Sequence, residues 1–481
     1  MDYKGIKALV MGLGLHGGGL QSACFLLKRG ASVTVTDLRD EVTLKPTIEQ
    51  LDKFCGELKS EPVRYILGKH EIEDFQKADI VIKNPGVKPD SPFLQASKRI
   101  ETDISLFLNE SPARIFGITG TKGKSGTAAA LTWILAAERK NGKAFLGGNI
   151  TVSPLTFLDE LTDKDDVVLE LSSFQLGDIK NHTTSDGKKL LKPAAAILTS
   201  IMRDHLDRYV SMDEYIDDKR NIYRGQDSSC ITVAGDDDWG KSFHSESKAR
   251  PLIWSSKQSL QSPFNKGQSG GWITPDGSGL ACLFGFDAPE ETVELVPRRL
   301  LTPGGHQKLN MLCASLAAYG FGIKARTISS ALSVYKGLEH RLEYFHAANG
   351  IKFYNDSAAT IPEAAAACVE ALSENAPLIL VTGGTDKNLD FTPLAKAAKK
   401  AKEIILLAGT GSHKLAAMLD EAGVSYNGPF DDLEKAVHFA VCKARSEDNV
   451  VLSPGCASFG MFLNEFDRGR KWKEAVKTYA C

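Results

Sequence analysis

Short apolar runs alternate with amphipathic stretches along almost the whole chain. The runs are rich in aliphatic and β-branched residues, end in glycine or polar turns, and are followed by segments of helical periodicity. They include IKALVMGLG, SVTVTD, ADIVIKNPG, RIFGITG, DVVLELSS, AAAILTS, CITVAG, LILVTGG, EIILLAG and NVVLSPG. Continuous apolar strands separated by helices are typical of parallel sheets that are covered on both faces. The pattern predicts an α/β fold with more strands than a single sheet would hold.

Two interruptions of this rhythm divide the chain. At Ser111 a new strand leads directly into a glycine-rich loop, and near Tyr335 a helical stretch ends before the strands restart with IKFYND. The Gly- and Ser-rich segment 255–285 predicts hairpins or surface loops inside the middle part. Because 481 residues exceed what one core ordinarily supports, we predict three domains, at about 1–110, 111–336 and 337–481.

Composition narrows the class of protein. Lys and Arg number 58 against 60 Asp and Glu, a formal charge of −2 that gives no electrostatic reason to expect nucleic acid or an anionic membrane as a partner. The nine cysteines form no CxxC pair, so we expect reduced thiols and no zinc motif. Glycines break the apolar run at the start of the sequence, so we expect no signal peptide, and without a run of about 18 apolar residues we expect no transmembrane span. We expect a soluble cytoplasmic protein without membrane insertion.

The segment RIFGITGTKGKSGTAAALTWILAA has the order that phosphate binding requires: strand, glycine loop, Lys-Ser, helix. Backbone N–H groups of such a loop converge on phosphate oxygens, and the helix N-terminus adds a favourable dipole. Lys124 is predicted to reach the β and γ phosphates of ATP, and the Ser125 hydroxyl to bind Mg²⁺. The strict GxxxxGK[ST] spacing fails because Ile118 stands at the first glycine position. The alternative is a glycine-rich turn with a solvated lysine, which the flanking strand and helix disfavour.

A second glycine pattern lies near the N-terminus. Gly12, Gly14 and Gly17 form GxGxxG between a strand and a helix, and Asp37 follows about 20 residues later. Taken alone, this pattern indicates a dinucleotide-binding domain and leaves open an NAD(P)-dependent oxidoreductase. The same turn could hold another diphosphate, such as that of a nucleotide sugar. The second nucleotide loop downstream favours the nucleotide sugar.

Further polar side chains follow apolar strands. Glu170 in VVLELSSFQL is either a magnesium ligand or an ordinary hydrogen-bonding acid at a strand edge. His205 alone is more readily explained as structural, and Lys219 alone is uninformative. Polar clusters in the last third predict a cleft for an anionic substrate, although turn chemistry would use the same residue types. Their members are His340, Arg341, Asp356, Ser357, Lys387 and Ser458.

Taken in order, the motifs resemble those of the Mur ligase family across nearly the whole chain. The motifs are GLGLHG, GITGTKGKS, GGNI, LELSSFQL, DHLDRY with DDKRNIY, GGHQKLN, GLEHR, NDSAAT, GGTDKNLDF and SPGCASF. The resemblance implies an N-terminal Rossmann-like domain for a UDP-substrate, a central P-loop ATPase with a mainly parallel sheet, and a C-terminal Rossmann-like domain that binds glutamate. It implies an ATP- and Mg²⁺-dependent amide ligase of cytoplasmic peptidoglycan precursor synthesis, acting as a monomer. LELSSFQL with DHLDRY points to the branch that adds D-glutamate to UDP-N-acetylmuramoyl-L-alanine.

The resemblance also assigns roles to individual residues. For ATP it implies Gly117, Thr119, Gly120, Thr121, Lys122, Gly123, Lys124, Ser125, Gly126, Asn310 and Arg341. For catalysis it implies Lys124, Glu170, His205 and Lys219, with Ser125, Glu170, His205 and a carbamylated Lys219 as magnesium ligands. For the substrates it implies Leu15, His16, Asp37, Leu38, Arg39, Gly86, Asn149, Ser172, Asp356, Thr360, Lys387 and Ser458.

Departures from the family pattern gather at the amino-acid end of the expected site. Ala358 stands in NDSAAT where the D-glutamate enzymes usually carry lysine, and Glu465 stands roughly where a phenylalanine lines the glutamate pocket. In the phosphate loop, Lys122 replaces the usual asparagine. The ATP chemistry is expected to be intact. L-glutamate, another amino acid or a folate-type acceptor therefore remains an alternative, as does a non-catalytic nucleotide-binding module.

Overall fold

The computed structural model describes residues 3–15, 17–138, 142–150, 152–287, 290–374 and 376–480. The chain forms two compact units. The first comprises Met1–Pro275, Gly279–Leu295 and Asn310–Ile328, and the second comprises Asp276–Ser278, Val296–Leu309 and Ser329–Cys481. No helix in the described ranges is both long and apolar enough to cross a membrane.

The first unit begins with a parallel sheet that is flanked by helices. Its elements are β1 (Lys7–Met11), α1 (Gly18–Lys28), β2 (Ser32–Asp37), α2 (Glu41–Leu58), β3 (Arg64–Leu67), α3 (Ile72–Lys77), β4 (Ile80–Lys83), α4 (Pro92–Gln95), β5 (Ile100–Glu101) and α5 (Asp103–Glu110). The strand order is β3-β2-β1-β4-β5, with parallel pairing throughout. Order reverses beside β1, so the carboxyl ends of β1 and β4 flank the crevice where such sheets bind ligands.

A larger sheet follows, most of it in the same unit. Its elements are β6 (Arg114–Thr119), α6 (Lys124–Glu138), β7 (Ala144–Gly148), β8 (Asp166–Glu170), α7 (Ser173–Asp178), β9 (Ala195–Leu198), α8 (Met212–Arg220), β10 (Ile231–Gly235), α9 (Asp238–Glu246), β11 (Arg250–Ser255), β12 (Gly270–Ile273), β13 (Gly279–Cys282), β14 (Val293–Val296), α10 (Gly305–Gly320) and α11 (Ala325–Ser333). Val296 of β14, the start of α10 and the end of α11 belong to the second unit. The order is β14-β13-β12-β11-β10-β9-β6-β8-β7. Pairing is parallel from β7 to β12, whereas β12 and β13 form an antiparallel pair.

The two sheets of the first unit share a continuous apolar core. Phe107 of α5 packs edge-on against Phe157, with ring centroids 6.0 Å apart, and Phe157 stacks on Phe145 of β7 at 5.0 Å. These aromatic side chains belong to one buried cluster with residues of both sheets, including Val10 and Leu169. The N-terminal sheet is therefore packed firmly against the central one rather than tethered by a linker.

The second unit carries the third sheet. Its elements are β15 (Glu343–Ala348), β16 (Ile351–Asn355), α12 (Pro362–Ser373), β17 (Leu378–Thr382), α13 (Thr392–Ala398), β18 (Glu403–Leu407), α14 (Thr410–Glu421), β19 (Asn427–Phe430), α15 (Leu433–Lys443), β20 (Asn449–Leu452) and α16 (Glu465–Tyr479). The order is β15-β16-β20-β17-β18-β19, and only the β15–β16 pair is antiparallel among the pairs described. Apolar clusters cover both of its faces.

The predicted fold class is confirmed: the structure is α/β with three sheet-containing regions and mainly parallel pairing. Each apolar run quoted above contains a strand of the structure, and segment 255–285 contains the predicted hairpin as β12 and β13. Strands β3, β5 and β19 escaped the pattern because β5 has only two residues, and β3 and β19 bury too few of their four side chains to give an apolar run. The division into domains at 110 and 336 stays a prediction.

Candidate functional site

The phosphate loop between β6 and α6 has a backbone that only glycine fits. Gly120 and Gly123 have φ values of 145° and 92°. A Cβ on Gly120 would lie 1.9 Å from Thr199 Oγ1, and a Cβ on Gly123 would lie 2.4 Å from Asn310 Oδ1. The loop is thus wrapped closely against the end of β9 and against α10. Asn310, predicted from the family motif alone, lies beside the loop.

Lys124 opens α6 and folds back over this loop. Its Nζ donates to Gly120 O at 3.1 Å and to Thr121 O at 3.0 Å. The first amides of α6, which include those of Ser125 and Gly126, have no carbonyl of a preceding helical turn to bond, so this end favours an anion. The arrangement places an ammonium group and a helix N-terminus together, as phosphate binding requires.

The other predicted residues of the loop differ in burial: some are packed inside the protein and one is exposed to solvent. Thr121 anchors the loop: its N–H donates to Ser200 O at 2.8 Å and its Oγ1 lies 2.9 Å from the hydroxyl of Tyr215. Gly117 is a packing residue, since a Cβ there would lie 3.1 Å from Ile222 Cγ1. Lys122 is exposed, so its departure from the family pattern leaves the buried part of the loop unchanged.

Glu170 ends β8 with a buried carboxylate that is only half satisfied. Its side chain accepts at Oε1 from Asn149 Nδ2 at 3.2 Å, and its main-chain carbonyl accepts from the N–H of Asn149 at 2.8 Å. Glu170 is 2% exposed, and its Oε2 has no hydrogen-bond partner among the described residues. A buried carboxylate oxygen without a donor is costly unless a cation neutralises it. This donor set fits a divalent cation with a preference for oxygen ligands.

Lys219 lies on α8 with its amine directed under the phosphate loop. The residue is 1% exposed, and its Nζ donates to Gly120 O at 2.9 Å and lies 4.4 Å from the centre of the Tyr215 ring. Burial, helped by the nearby charge of Lys124, lowers the pKa of Lys219 to about 7. An amine with this pKa is about half uncharged at pH 7, and the uncharged form is nucleophilic. The position of Lys219 in DDKRNIY does not indicate that the side chain is buried.

His205 follows β9 in a strained backbone conformation. Its φ is 54°, its imidazole lies 4.9 Å from the Phe174 ring, and its Nε2 lies 3.9 Å from Asp204 Oδ2. The side chain is exposed. Strands β8, β6 and β9 are adjacent and parallel, so their carboxyl ends bring Glu170, the phosphate loop and the segment of His205 to one edge of the sheet.

In the N-terminal sheet, Asp37 braces the glycine turn. Its Oδ2 accepts from the N–H of Gly14 at 3.1 Å and its Oδ1 from that of Arg39 at 2.9 Å, and the residue is 4% exposed. Leu15 and Leu38 beside it expose 47% and 69% of their surface. The apolar side chains thus border a polar turn, as a site for a base and a diphosphate would require. The predicted His16 lies outside the described residues.

Gly86 and Ser172 both form hydrogen bonds within the protein. The N–H of Gly86 donates to Asn84 Oδ1 at 2.9 Å, and its carbonyl accepts from Arg208. The Ser172 hydroxyl caps α7 by accepting from the N–H of Gln175 at 3.2 Å. Ser172 therefore stabilises the helix that follows Glu170. This capping role is independent of the predicted contact between Ser172 and the substrate.

In the second unit, Asp356 is buried with both oxygens occupied. It accepts from the N–H of Leu342 at 3.0 Å and from Ser453 Oγ at 2.7 Å, and burial raises its pKa to about 6. Arg341 is exposed on a turn whose neighbours His340 and Leu342 have φ values of 64° and 47°. Asp356 thus fixes the turn that presents Arg341.

Of the residues predicted to bind the amino acid, Ser458 is buried, Thr360 is half-buried and Lys387 is exposed. Ser458 lines a small recess together with Gly384 and Arg468. Sequence reasoning missed Arg468, because an arginine in FDRGRKW is indistinguishable from a solvated one. It is 1% exposed and donates to Ser357 Oγ, Ser357 O and Cys456 O at 3.0, 2.9 and 3.2 Å.

Family models match the chain in three successive segments. The model of the MurD-like N-terminal domain of Mur ligases matches residues 6–105, that of the Mur ligase middle domain matches 118–318, and that of the Mur ligase glutamate ligase domain matches 340–456.

Curated relatives match over the full length. The UDP-N-acetylmuramoylalanine--D-glutamate ligase of Treponema pallidum (strain Nichols) is 37% identical, with 98% of each chain covered. The enzyme of the same name from Borreliella afzelii (strain PKo) is 38% identical over 99% of this chain and 98% of its own. That of Roseiflexus sp. (strain RS-1) is 36% identical over 100% of both.

Solved structures confirm the fold. The UDP-N-acetylmuramate-alanine ligase MurC from Thermotoga maritima matches with a TM-score of 0.58 and 18% identity, over 98% of this chain and 99% of that one. The MurF ligase of Thermotoga maritima in complex with ADP matches with a TM-score of 0.54 and 17% identity, over 99% and 95%.

Proposed function

The chain belongs to the Mur ligase family, and from that premise we propose that it joins D-glutamate to UDP-N-acetylmuramoyl-L-alanine at the expense of ATP. The observation that carries the proposal is the full-length match, at 37–38% identity, to enzymes named for this reaction. The phosphate loop and the half-satisfied carboxylate of Glu170 supply the matching chemistry. The oxidoreductase alternative finds no support, since the N-terminal segment matches a MurD-like domain.

Within this function, the phosphate loop and the start of α6 hold the ATP phosphates. Lys124, whose Nζ contacts two carbonyls of the loop, is the cation that faces the transferring phosphoryl group. Asn310, beside Gly123, and the exposed Arg341 complete the proposed nucleotide contacts.

We assign the magnesium ligands to Ser125, Glu170, His205 and Lys219. The unpartnered Oε2 of Glu170 supports the assignment, because a cation would satisfy it. Bound Mg²⁺ would neutralise charge on the transferring phosphoryl group. The lowered pKa of Lys219 supports carbamylation: the uncharged amine adds to the carbon of CO₂ and loses one proton, which turns a buried base into a carboxylate-like ligand.

The reaction follows from the poor reactivity of a carboxylate toward amines. An oxygen of the L-alanyl carboxylate attacks the γ-phosphorus of ATP, the bond to ADP breaks, and an acyl phosphate forms. The glutamate amine then attacks the acyl carbon; phosphate leaves, and the amine loses a proton to give the amide. The protein contributes positioning and charge stabilisation rather than a covalent bond.

For the UDP-substrate we assign residues of the first glycine turn and residues at or just after the carboxyl ends of β2, β4, β7 and β8. The residues are Leu15, His16, Asp37, Leu38, Arg39, Gly86, Asn149 and Ser172. For glutamate we assign Asp356, Thr360, Lys387 and Ser458, of which Asp356 acts through the turn that it braces.

The test is ligation in vitro with phosphate release as the readout. Protein, ATP, Mg²⁺ and UDP-N-acetylmuramoyl-L-alanine are incubated with D-glutamate, with L-glutamate or with a panel of other amino acids, and the product is identified by mass. D-glutamate is expected to give the fastest release. Release with none of the amino acids would contradict the function. The Lys124→Ala variant serves as the control for background hydrolysis.

The acceptor alternative rests on Ala358. This residue carries no charge where the D-glutamate enzymes usually carry lysine, so one expected contact to a glutamate carboxylate is missing. A preference for L-glutamate or for another amino acid in the same panel would replace D-glutamate and leave the ligase chemistry standing.

We further propose that the protein acts in the cytoplasm as a monomer. Its substrates are intracellular nucleotides, and its described part has no helix suited to crossing a membrane. Light scattering coupled to size-exclusion chromatography checks the monomer: a mass of 52.1 kDa is expected, and a concentration-independent mass of twice that value would contradict it.

A further inference from the structure

The turn Asn84–Val87, which follows β4, lies at the crevice of the N-terminal sheet. Asn84 donates through its N–H to Met11 O at 3.2 Å, and its carbonyl accepts from the N–H of Val87 at 3.0 Å. A Cβ on Gly12 would lie 3.1 Å from Asn84 Cβ, so the turn packs directly on the first glycine turn. A displacement of this turn would therefore change the proposed UDP-binding face.

Arg208, on the loop after β9, holds this turn from the central sheet. Its Nη1 donates to Gly86 O at 3.2 Å and its Nη2 to Val87 O at 3.1 Å. The guanidinium lies 3.8 Å from the centre of the Phe174 ring. A planar fork that donates to two successive carbonyls while its face stacks on an aromatic ring is specific to arginine, because an ammonium group has neither a plane to stack nor donors in a fixed fork.

Lys83 provides a second connection at the end of β4. Its Nζ lies 2.6 Å from Asp178 Oδ2 and 3.4 Å from Asn84 O, and the two charged side chains are 3% and 5% exposed. Burial lowers the pKa of Lys83 and raises that of Asp178, while their mutual attraction opposes both shifts. Because desolvation consumes much of the attraction, such a pair contributes more to geometry than to net stability.

Helix α7 is the common support of both connections. Phe174 lies in its first turn and Asp178 is its last residue, and the helix follows Glu170 of β8 after two residues. The ring of Phe174 also contacts His205 at 4.9 Å. The same short helix is therefore linked to the N-terminal sheet through both connections and also contacts His205, a proposed magnesium ligand.

We propose that Arg208 and Lys83 are positioning residues that fix the turn Asn84–Val87 against α7 and thereby set the affinity for the diphosphate-bearing UDP-substrate. The proposal rests on the proposed function for the identity of that substrate. Because the connections contact neither the phosphate loop nor the nucleotide side chain Asn310 in the described ranges, their loss is expected to weaken binding of the UDP-substrate far more than binding of ATP.

The first test compares Arg208→Lys with the wild type in steady-state kinetics. The KM for UDP-N-acetylmuramoyl-L-alanine is expected to rise at least about tenfold, while the KM for ATP and kcat stay within about twofold, as expected for lost positioning of one substrate. The matched control is Arg114→Lys. Arg114 also donates two hydrogen bonds, to Asp166 at 2.8 and 3.1 Å, and its guanidinium lies over the Phe116 ring. It is the first residue of β6, at the end of the strand that lies away from the phosphate loop.

The second test is a double-mutant cycle on the buried pair. Lys83→Met and Asp178→Leu alone leave a buried charge without its partner, and each is expected to lower the melting temperature and to weaken binding of the UDP-substrate. The double variant is expected to regain the melting temperature, because no charge is then left unpaired. It is not expected to regain affinity, since the contact from Lys83 to Asn84 O is still missing.

Binding of UDP-N-acetylmuramoyl-L-alanine is also measured calorimetrically without ATP or amino acid. This separates the two proposals: an inactive wild type that still binds the UDP-substrate more tightly than Arg208→Lys would contradict the reaction and support the positioning role. An unchanged KM and unchanged affinity in Arg208→Lys, or equal losses toward ATP and the UDP-substrate, would overturn the positioning role. So would full recovery of affinity in the double variant.

Discussion

At the scale of single residues, two buried groups dominate the site, and both are poorly satisfied by the protein alone. Lys219 is an amine in a desolvated position under the phosphate loop, and Glu170 is a carboxylate with one bare oxygen. Each is costly in the folded state because burial removes water without a full set of partners. This cost in folding free energy is explained if a bound cation satisfies the bare oxygen of Glu170 and if the amine of Lys219 is converted to a carbamate during function.

The fraction of Lys219 that is carbamylated is expected to increase as the pH rises. CO₂ adds to the uncharged amine, and with a pKa of about 7 roughly a tenth of the amine is uncharged at pH 6 and about nine-tenths at pH 8. At a fixed CO₂ concentration, the ¹³C signal of the carbamate and the ligase rate should rise together across this range. Lys219→Met should remove the signal, whereas Lys192→Met, at an exposed lysine paired with Asp227, should leave it. A signal that survives Lys219→Met would contradict the assignment.

Glu170→Gln is expected to separate stability from activity. An amide removes the bare buried charge, so the ligand-free protein should become more stable by about 1 kcal/mol or more in chemical unfolding. The rate of ligation should fall at least about 100-fold, because a magnesium ligand worth several kcal/mol of charge stabilisation is lost. Glu160→Gln, at an exposed carboxylate of the same unit, is the control and should change neither quantity. Full activity in Glu170→Gln would exclude it from the metal site.

At the scale of elements, the phosphate loop depends on backbone conformation as much as on its lysine. The loop bends between β6 and α6 with two glycines in the positive-φ region and lies against Thr199 and Asn310. A side chain at either glycine would face both backbone strain and a steric clash. Helix α2 offers the opposite case at Gly56, which is exposed and has open space where a Cβ would lie.

Gly120→Ala is therefore expected to destabilise the protein by about 1–3 kcal/mol and to reduce ATP affinity strongly. Gly56→Ala should stabilise the protein by about 0.5–1 kcal/mol, since alanine loses less conformational entropy in a helix. Urea unfolding and nucleotide titration measure the two effects. Equal effects of the two substitutions would show that the loop does not require a positive φ at Gly120.

At the scale of the whole molecule, the chain has two compact units, each with its own sheets and apolar clusters. The proposed UDP-binding residues that the structure describes all lie in the first unit, whereas the proposed glutamate residues lie in the second. Units with separate cores need not unfold together. A ligand that binds one folded unit stabilises that unit by mass action.

Scanning calorimetry is accordingly expected to resolve two transitions, of which UDP-N-acetylmuramoyl-L-alanine should raise only one. Tryptophan fluorescence can assign them. Trp472 is buried in the second unit and donates to Tyr354 O at 3.0 Å, while Trp133, Trp239, Trp254 and Trp272 lie in the first. The fluorescence change lost in Trp472→Phe should belong to the transition that the substrate leaves unshifted. A single transition, or a shift of both by the UDP-substrate, would contradict independent unfolding.

The sequence by itself determined the class of fold and the ATP chemistry. A buried parallel strand appears in the sequence as an apolar run, which can be recognised without knowledge of tertiary contacts. A glycine loop between such a strand and a helix is a local feature of eight or nine residues. The order of the family motifs added the three sheet-containing regions and the ligase function. The fold class and the phosphate loop could be predicted because each depends on residues that are neighbours in the chain, whereas the ligase function came from the resemblance.

The tertiary structure decided what burial and long-range contact do to individual side chains. Lys219 has a lowered pKa because the fold places it under Gly120, about 100 residues away in sequence. The roles of Arg208 and Arg468 could be recognised only from the carbonyl groups that they contact in the structure. The sequence alone does not show whether an arginine side chain is buried or exposed to solvent. Conversely, Ser172 proved to cap a helix. Desolvation and hydrogen bonding arise from residues remote in the chain, so their consequences could not be derived from local pattern.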